Sequence, residues 1–515
     1  MAAVVRVAEI TPRFSIVTPV YNPPLGAFLA CAASVRAQTL ADWEWCLVDD
    51  CSTRQEVHDA LDELAAADPR IRVMRREANG GIVAATNDGI AMAGGEFIAF
   101  LDHDDALVPT ALADADEVLG DDPDDAIDYL YSDEMHVHAD GRDFVPFPKP
   151  NWSPERFRAS MYTCHLSVLR RDVVERIGGF RTGFDGSQDH DLILRATEAI
   201  TAAGRRIVHL PKVTYHWRHV SSSVSRATGT LNAAIHNGRK AVQEQCDRLG
   251  IAATVEHGEL GGCYRVVRHL PADTAVTVVV ATAGEVGIGR PYRLAAAETM
   301  RRLATTHPGA TLVVAHPHDV DPLVAELLDE AGGERWLAVP VVGPWGVAVA
   351  LDQAMYAYPG DVLVSIAPGL VPRSDVGADW LETLAGLALQ PGVGVAGGLV
   401  ATPDGCVVHA GWDIPNFRLY DLEGLPLGTG TAGNDLFIER ECSQVSLAAA
   451  AITSVHWHER KHLAAAAPDW DSAGRALSDA HTADGFATLW TPFARFERVV
   501  AITEPAERRR GLPFG

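Results

Sequence analysis

Asp102-His103-Asp104 sets two carboxylates two residues apart, directly after the apolar run Phe97 to Leu101. On a turn such a pair can converge on one hard cation, and oxygen ligands with open positions suit Mg²⁺ or Mn²⁺ bridging to phosphate oxygens. The plain alternative is a solvated acidic loop. Asp189, in GFDGSQDHDLILR, stands where an apolar helix begins. It reads either as a first-turn charge or as a general base for a hydroxyl, and Asp191 beside it as a helix cap or first-turn charge. Pro19, Tyr21 and Asn22 follow one β-rich run, and Asp49 and Asp50 follow the next. A ring with a carboxylate can hold a nucleobase by stacking and by accepting its N–H, although Asn22-Pro23-Pro24 is also a turn signal. Asn79-Gly80-Gly81 is a turn at a helix start that also lets a phosphate or ribose come close. His216, in Tyr215-His216-Trp217-Arg218, follows a β-rich run. Structural, phosphate-facing and metal-bound roles for it all stay open.

The elements that must position these residues alternate. Strands are expected at Phe14 to Thr18, Trp43 to Val48, Ile71 to Arg75 and Phe97 to Leu101, with helices at Leu25 to Ala37, Gln55 to Ala67 and Gly80 to Ala93. This βαβαβαβ order predicts a parallel sheet covered by helices, with ligands beyond the carboxyl ends of the strands, where the acids cluster. Ala233 to Leu249 reads as a helix and Ala252 to Arg268 as an extended segment, and a strand pattern restarts at Val276. The second half echoes the first in order: IVTPVYN by VVVATAG, CLVDDCS by LVVAHPHD, GGEFIAFLDHDDALVP by PGDVLVSIAPGLVP, and RIVHLPKVTYHW by FATLWTPFARFE. Two domains of similar fold are expected.

Composition narrows the class. In 515 residues, 43 Lys+Arg against 68 Asp+Glu leave a net charge of −25, which counts against a grip on nucleic acid by bulk charge. An anionic substrate would need a local device such as a metal ion or a helix N-terminus. With 47% apolar and 22% charged residues the chain is globular rather than disordered. Eight cysteines without a CxxC pair point to a reducing compartment and no structural zinc. The opening MAAVVRVAEITPRF lacks the apolar core of a secretion signal, and runs such as AVTVVVATAG fall short of the about 20 residues that span a bilayer. A cytoplasmic location is expected, with peripheral attachment at the inner face of the cell membrane left open. Arg508-Arg509-Arg510 reads as a solvated tail.

Together, FSIVTPVYNPPLGAFLACAASVRAQTLADWEWCLVDDCS, NGGIVAATNDGIAMAGGEFIAFLDHDD, GGFRTGFDGSQDHDLILR and LPKVTYHW closely resemble family 2 glycosyltransferases of the GT-A fold, in the bacterial cell-surface polysaccharide branch. The resemblance covers residues 14 to 226, and AVQEQCDRLGIAATVEHGELGGCYRV is similar to the linker of two-domain members. It implies an α/β chain with a catalytic GT-A domain over 12–226, a connector over 227–272 and a second GT-A-like domain over 273–515. It implies an inverting transferase that moves a sugar from a nucleotide-diphosphate donor to a glycan hydroxyl, lipid-linked or soluble, with Mn²⁺ or Mg²⁺. By motif, Pro19, Tyr21 and Asp50 would contact the base, and Asn79 and Gly80 would lie beside the nucleotide. Asp102 would contact the nucleotide or cation, Asp104 would ligate the cation, Asp189 would be the base and His216 a further metal ligand. Gln188-Asp189 stands where many relatives show Glu-Asp, which leaves the base in place.

The second half departs in chemistry. Ser365-Ile366-Ala367-Pro368-Gly369 replaces the acidic turn, His316-Pro317 replaces Asp49-Asp50, and the region around Gly474-Arg475-Ala476 has no acid, with Asp469 and Asp471 nearby. A catalytically dead domain is expected, with a structural, partner-binding or glycan-holding role. His316 to Asp319 and His456 to Glu459 read as solvated segments rather than metal sites. A scaffold of two non-catalytic, glycan-binding GT-A-like domains is the competing reading for the whole chain. A sugar nucleotidyltransferase is set aside, because Thr18 to Pro24 is not a glycine-rich basic loop.

Overall fold

A computed structural model describes residues 11–138, 144–219, 228–285, 294–305, 307, 309–373, 379–412, 422–430 and 434–499. The 220–226 end of the expected first domain and the Arg508-Arg509-Arg510 tail lie outside the described residues. The described residues fall into two compact units, the first drawn from 1–153, 160–250 and 259–264 and the second from 154–159, 251–258 and 265–515. Among them no helix is long and apolar enough to cross a membrane.

The first unit holds nine strands: β1 (Phe14–Val20), β2 (Trp43–Asp49), β3 (Ile71–Arg75), β4 (Phe97–Phe100), β5 (Ala106–Leu107), β6 (Ile127–His138), β7 (Phe144–Phe147), β8 (Ser167–Arg170) and β9 (Arg206–His219). Their order is β3-β2-β1-β4-β8-β6-β9-β5, with β7 added to β6. The β3 to β4 half is parallel, as the alternation predicts. Beyond it β8 runs antiparallel to both β4 and β6, and β9 runs parallel to β6. β1 (FSIVTPV) and β2 (WEWCLVD) are covered on both faces, which is why they read as nearly continuous apolar runs rather than alternating ones. Phe14, Ile16, Trp45, Leu47 and Phe97 join one buried cluster. Each large apolar side chain sealed there contributes about 1.5–3 kcal/mol. The helix Gly81–Met92 lies directly on β1. A Cβ at Gly89 would sit 2.6 Å from Val17 Cγ1, so a residue without a side chain is needed for that approach.

The second unit carries β10 (Ala253–His257) paired with β11 (Tyr264–Arg268), then β12 (Val276–Ala281), β13 (Thr311–Pro317), β14 (Trp336–Val341), β15 (Val362–Ile366), β16 (Leu370–Pro372), β17 (Val393–Ala401), β18 (Val407–His409), β19 (Arg440–Cys442), β20 (Ala449–Thr453) and β21 (Ala487–Arg498). Its large sheet runs β14-β13-β12-β15-β20-β17-β21-β16. Position by position this is the first sheet again, with the same parallel and antiparallel senses. The sequence echoes fall on equivalent strands: β1 with β12, β2 with β13, β4 with β15, and β9 with β21.

Two segments cross the expected boundaries. The helix Thr228–Leu249 belongs to the first unit, where Ser187 Oγ donates to the Ala234 carbonyl at 2.7 Å and Gln245 Nε2 to that of Leu194 at 3.3 Å. The short helix Pro154–Ala159 belongs to the second unit. There Glu155 and Glu439 both pair with buried Arg268, and Arg156 meets Asp435 at 2.7 Å.

Candidate functional site

The carboxyl ends of β1, β2 and β4 gather the predicted residues of the first unit. Tyr21, just beyond β1, is 48% exposed. The Pro19 carbonyl lies 3.0 Å from His103 Nδ1, which ties the first strand to the acidic turn. Asp50 is buried, and its two carboxylate oxygens accept the backbone N–H groups of Gly80 and Gly81, each at 2.8 Å. Those are orphan donors at the start of the helix Gly81–Met92, so Asp50 caps that helix from a distance. Asn79 Nδ2 donates to the Asp50 carbonyl at 3.1 Å, and Arg76 lies 3.5 Å from the carboxylate. Asp50, Asn79 and Gly80 therefore form one hydrogen-bonded corner.

The acidic turn divides its labour. Asp105 is buried; its Oδ2 accepts the Tyr215 hydroxyl at 2.7 Å and its Oδ1 the Arg218 N–H at 2.7 Å. Burial first, and then the charge of Asp102, push its carboxyl up to about 7. Asp104 is half-buried, and its carboxylate accepts no hydrogen bond from another described residue. Burial, opposed by His103 and reinforced by Asp102, holds it above the ordinary carboxylate range. Asp102 donates its backbone N–H to the Tyr215 hydroxyl at 3.3 Å, and its carboxylate faces His165 Nε2 at 3.7 Å.

His165 is the residue that sequence reasoning missed. It precedes β8, and its ring stacks on Tyr215 with centroids 4.6 Å apart and planes 13° apart. Burial disfavours its charged form, but the hydrogen-bonding and charge of Glu134, with Asp102 and Asp105, outweigh that and push it up to about 9. Among the described residues, Asp102, Asp105 and His165 bring one ligand atom each within 4.8 Å of one another, close enough to hold a metal ion. No spacing rule marks a histidine in MYTCHLSVLR; only the pairing of β4 with β8 brings it here. Asp105 was visible as the fourth residue of DHDD, but not its inward hydrogen bonds.

His216 lies on β9 opposite Ala106 of β5, outside that group of three. Burial and the Arg218 charge lower its pKa, which favours the neutral imidazole that can ligate a metal. Asp189 stands in the first turn of the helix Gln188–Ala202, where Gln188 Nε2 donates to it at 2.9 Å. Asp189 is exposed. Desolvation first, and then the charge of Asp102, push its carboxyl up to about 6, while His165 opposes. The charges of Asp102 and His165 both reach Asp189. Asp191, by contrast, is buried between Arg195 and Arg181, with Arg195 Nε donating to it at 3.0 Å and Arg181 Nε at 3.1 Å. It anchors the helix that presents Asp189.

Strand pairing identifies the equivalent positions in the second unit. Phe97 and Val362 occupy matching places beside β1 and β12, and Ala99 pairs with Val168 as Val364 pairs with Ala451. Asp102 then corresponds to Ala367, Asp105 to Leu370 and His165 to Ala448, none of which has a ligating side chain. The helix equivalent to the one carrying Asp189 begins at Trp470, earlier than the Gly474 region expected from sequence. Asp471 therefore lies in its first turn, where it accepts the Ser446 hydroxyl at 2.5 Å, while Asp469 caps the helix through the Ser472 N–H at 2.7 Å.

Comparison with known proteins gives a consistent picture. Residues 15–178 match the profile of glycosyl transferase family 2. The chain is 33% identical to the uncharacterized protein y4gI of Sinorhizobium fredii, over 80% of this chain and 44% of that protein. It is 33% identical to the O-antigen biosynthesis protein RfbC of Myxococcus xanthus, over 79% of this chain and 31% of that one. The chain thus spans less than half the length of these curated relatives. A solved structure of Staphylococcus aureus TarS residues 1–349 with UDP-GlcNAc is 22% identical over 46% of this chain and 72% of that chain, with a TM-score of 0.35, too low for an argument from shape.

Proposed function

The chain belongs to glycosyltransferase family 2 through its first unit, and from that premise we propose that this unit transfers a sugar from a nucleotide-diphosphate donor to a hydroxyl of a growing surface glycan, with inversion. The observation that carries the proposal is the convergence of Asp102, Asp105 and His165 within 4.8 Å of one another beyond the carboxyl end of β4, where a diphosphate-bound cation would sit. The residues fit a divalent cation. Asp102 and Asp104 are partly open carboxylates on one turn, Asp104 accepts no hydrogen bond from another described residue, and His165 turns Nε2 toward Asp102. Asp102, Asp104 and, on losing its Nε2 proton, His165 would hold Mn²⁺ or Mg²⁺, with neutral His216 as a further ligand, and such an ion supplies charge neutralisation to a departing diphosphate. Asp105, with both oxygens engaged, buttresses the turn from within.

The chain's own residues then do the following. Tyr21 offers a face to the base, and the corner of Asp50, Asn79 and Gly80 presents a helix start beside the nucleotide. Asp189 accepts the proton of the attacking hydroxyl as its oxygen bonds to the anomeric carbon. The bond from that carbon to the phosphate oxygen breaks on the opposite face, and the nucleoside diphosphate leaves with the electron pair. One displacement inverts the centre, so a single carboxylate base suffices. General-base help of this kind is worth about 10²–10⁴-fold. The second unit, with Ala367, Leu370 and Ala448 where the first has ligands, is non-catalytic in this reading. In this reading the protein works inside the cell on a glycan acceptor, lipid-linked at the inner membrane face or soluble.

The test is incubation of the intact protein with a panel of nucleotide sugars and Mn²⁺. Donor binding or slow donor hydrolysis that disappears on chelation is expected; the same behaviour with and without chelator would refute the metal-assisted mechanism.

A further inference from the structure

Behind His165 lies a charged group that the proposed reaction does not use. Glu134 on β6 and Lys149 are both buried, and Lys149 Nζ meets Glu134 Oε2 at 3.0 Å. The other two ammonium donors go to the carbonyls of Thr163, at 2.6 Å, and His165. Glu134 Oε2 also accepts the His165 backbone N–H at 3.0 Å, and its Oε1 lies 3.0 Å from His136 Nε2. Lys149 is itself tied to β6 by its backbone N–H, which donates to Asp133 at 2.8 Å. Every bond from this ion pair to another segment of backbone ends on the short stretch that carries His165.

A buried ion pair is an expensive way to stabilise a fold, because desolvation offsets most of the attraction and an apolar pair of similar volume does as well or better. What it adds is direction. The His165 ring is held flat by Tyr215, and its buried Nδ1 faces Glu134 Oε2 at 3.6 Å. The opposite nitrogen faces Asp102. Carboxylates placed behind metal-binding imidazoles fix the ring and its tautomer in this way.

We infer that Glu134, clamped by Lys149, is a positioning residue that sets the His165 ring so that Nε2 is presented to a divalent cation at Asp102. The inference rests on the proposed cation site. Titrating Mn²⁺ alone into the intact protein by calorimetry tests it. Wild type should bind, Asp102→Asn should abolish binding, and Glu134→Gln and Lys149→Met should each raise the dissociation constant about 10–100-fold. Variants that bind Mn²⁺ as tightly as wild type, while Asp102→Asn does not, would overturn the positioning role and leave the cation site standing. Failure of wild type to bind would remove the site and the inference with it. Should the buried variants not fold, ¹⁵N-histidine spectra of wild type decide. On addition of Mg²⁺ the His165 Nε2 resonance should move while Nδ1 stays, and movement of Nδ1 instead would refute the inference.

Discussion

The divided roles of the acidic turn separate its carboxylates experimentally. Asp104 accepts no hydrogen bond from another described residue while Asp105 accepts two bonds from β9, so Asp104→Asn should weaken Mn²⁺ binding with the melting temperature unchanged, whereas Asp105→Asn should lower the melting temperature. Paired calorimetry and thermal unfolding would show this; the reverse pattern would exchange their roles. Asp189 must be deprotonated to accept a proton, and its pKa of about 6 places the acid limb. The rate, kcat/KM, should fall about tenfold per pH unit below 6 and level off above it, and Asp189→Asn should cost about 10²–10⁴-fold with donor binding retained. The acids at strand ends were legible in the sequence because a turn after an apolar strand is a local pattern. His165, Glu134 and Lys149 were not, because strand pairing assembles them from segments with no common motif.

At the scale of elements, Asp191 and Arg268 show buried charge serving the frame rather than the chemistry. Asp191 sits between Arg181 and Arg195 and fixes the helix that presents Asp189. Asp191→Ala leaves a nearly buried Arg195 without its carboxylate and should cost about 3–5 kcal/mol in urea unfolding. The alternation of strands and helices up to β4 could be read from periodicity alone. The antiparallel half of each sheet could not, since β8, β6 and β9 pair out of sequence order. Nor could the excursion of Pro154–Ala159 into the second unit, which depends on Arg268 meeting Glu155 and Glu439 across more than a hundred residues of chain.

For the whole molecule, the strand order is duplicated while the ligating side chains of the first unit are not. Two sheets share one strand order and one set of senses, yet the positions of Asp102, Asp105 and His165 become Ala367, Leu370 and Ala448 in the second. The faint sequence echoes were sufficient to expect this, because buried strands keep their apolar pattern after site residues have changed. Asp471 retains an acid in a helix first turn, but its partner is Ser446. Asp471→Ala should therefore leave donor turnover within about twofold of wild type; a larger loss would mark the second unit as an active centre. The most direct measurement for the account is release of nucleoside diphosphate from a panel of sugar donors by the intact protein in Mn²⁺, with Asp102→Asn and Asp189→Asn in parallel. Release by wild type from at least one donor, abolished by chelation and by Asp102→Asn and strongly reduced in Asp189→Asn, is the predicted result; undiminished release by either variant would contradict it.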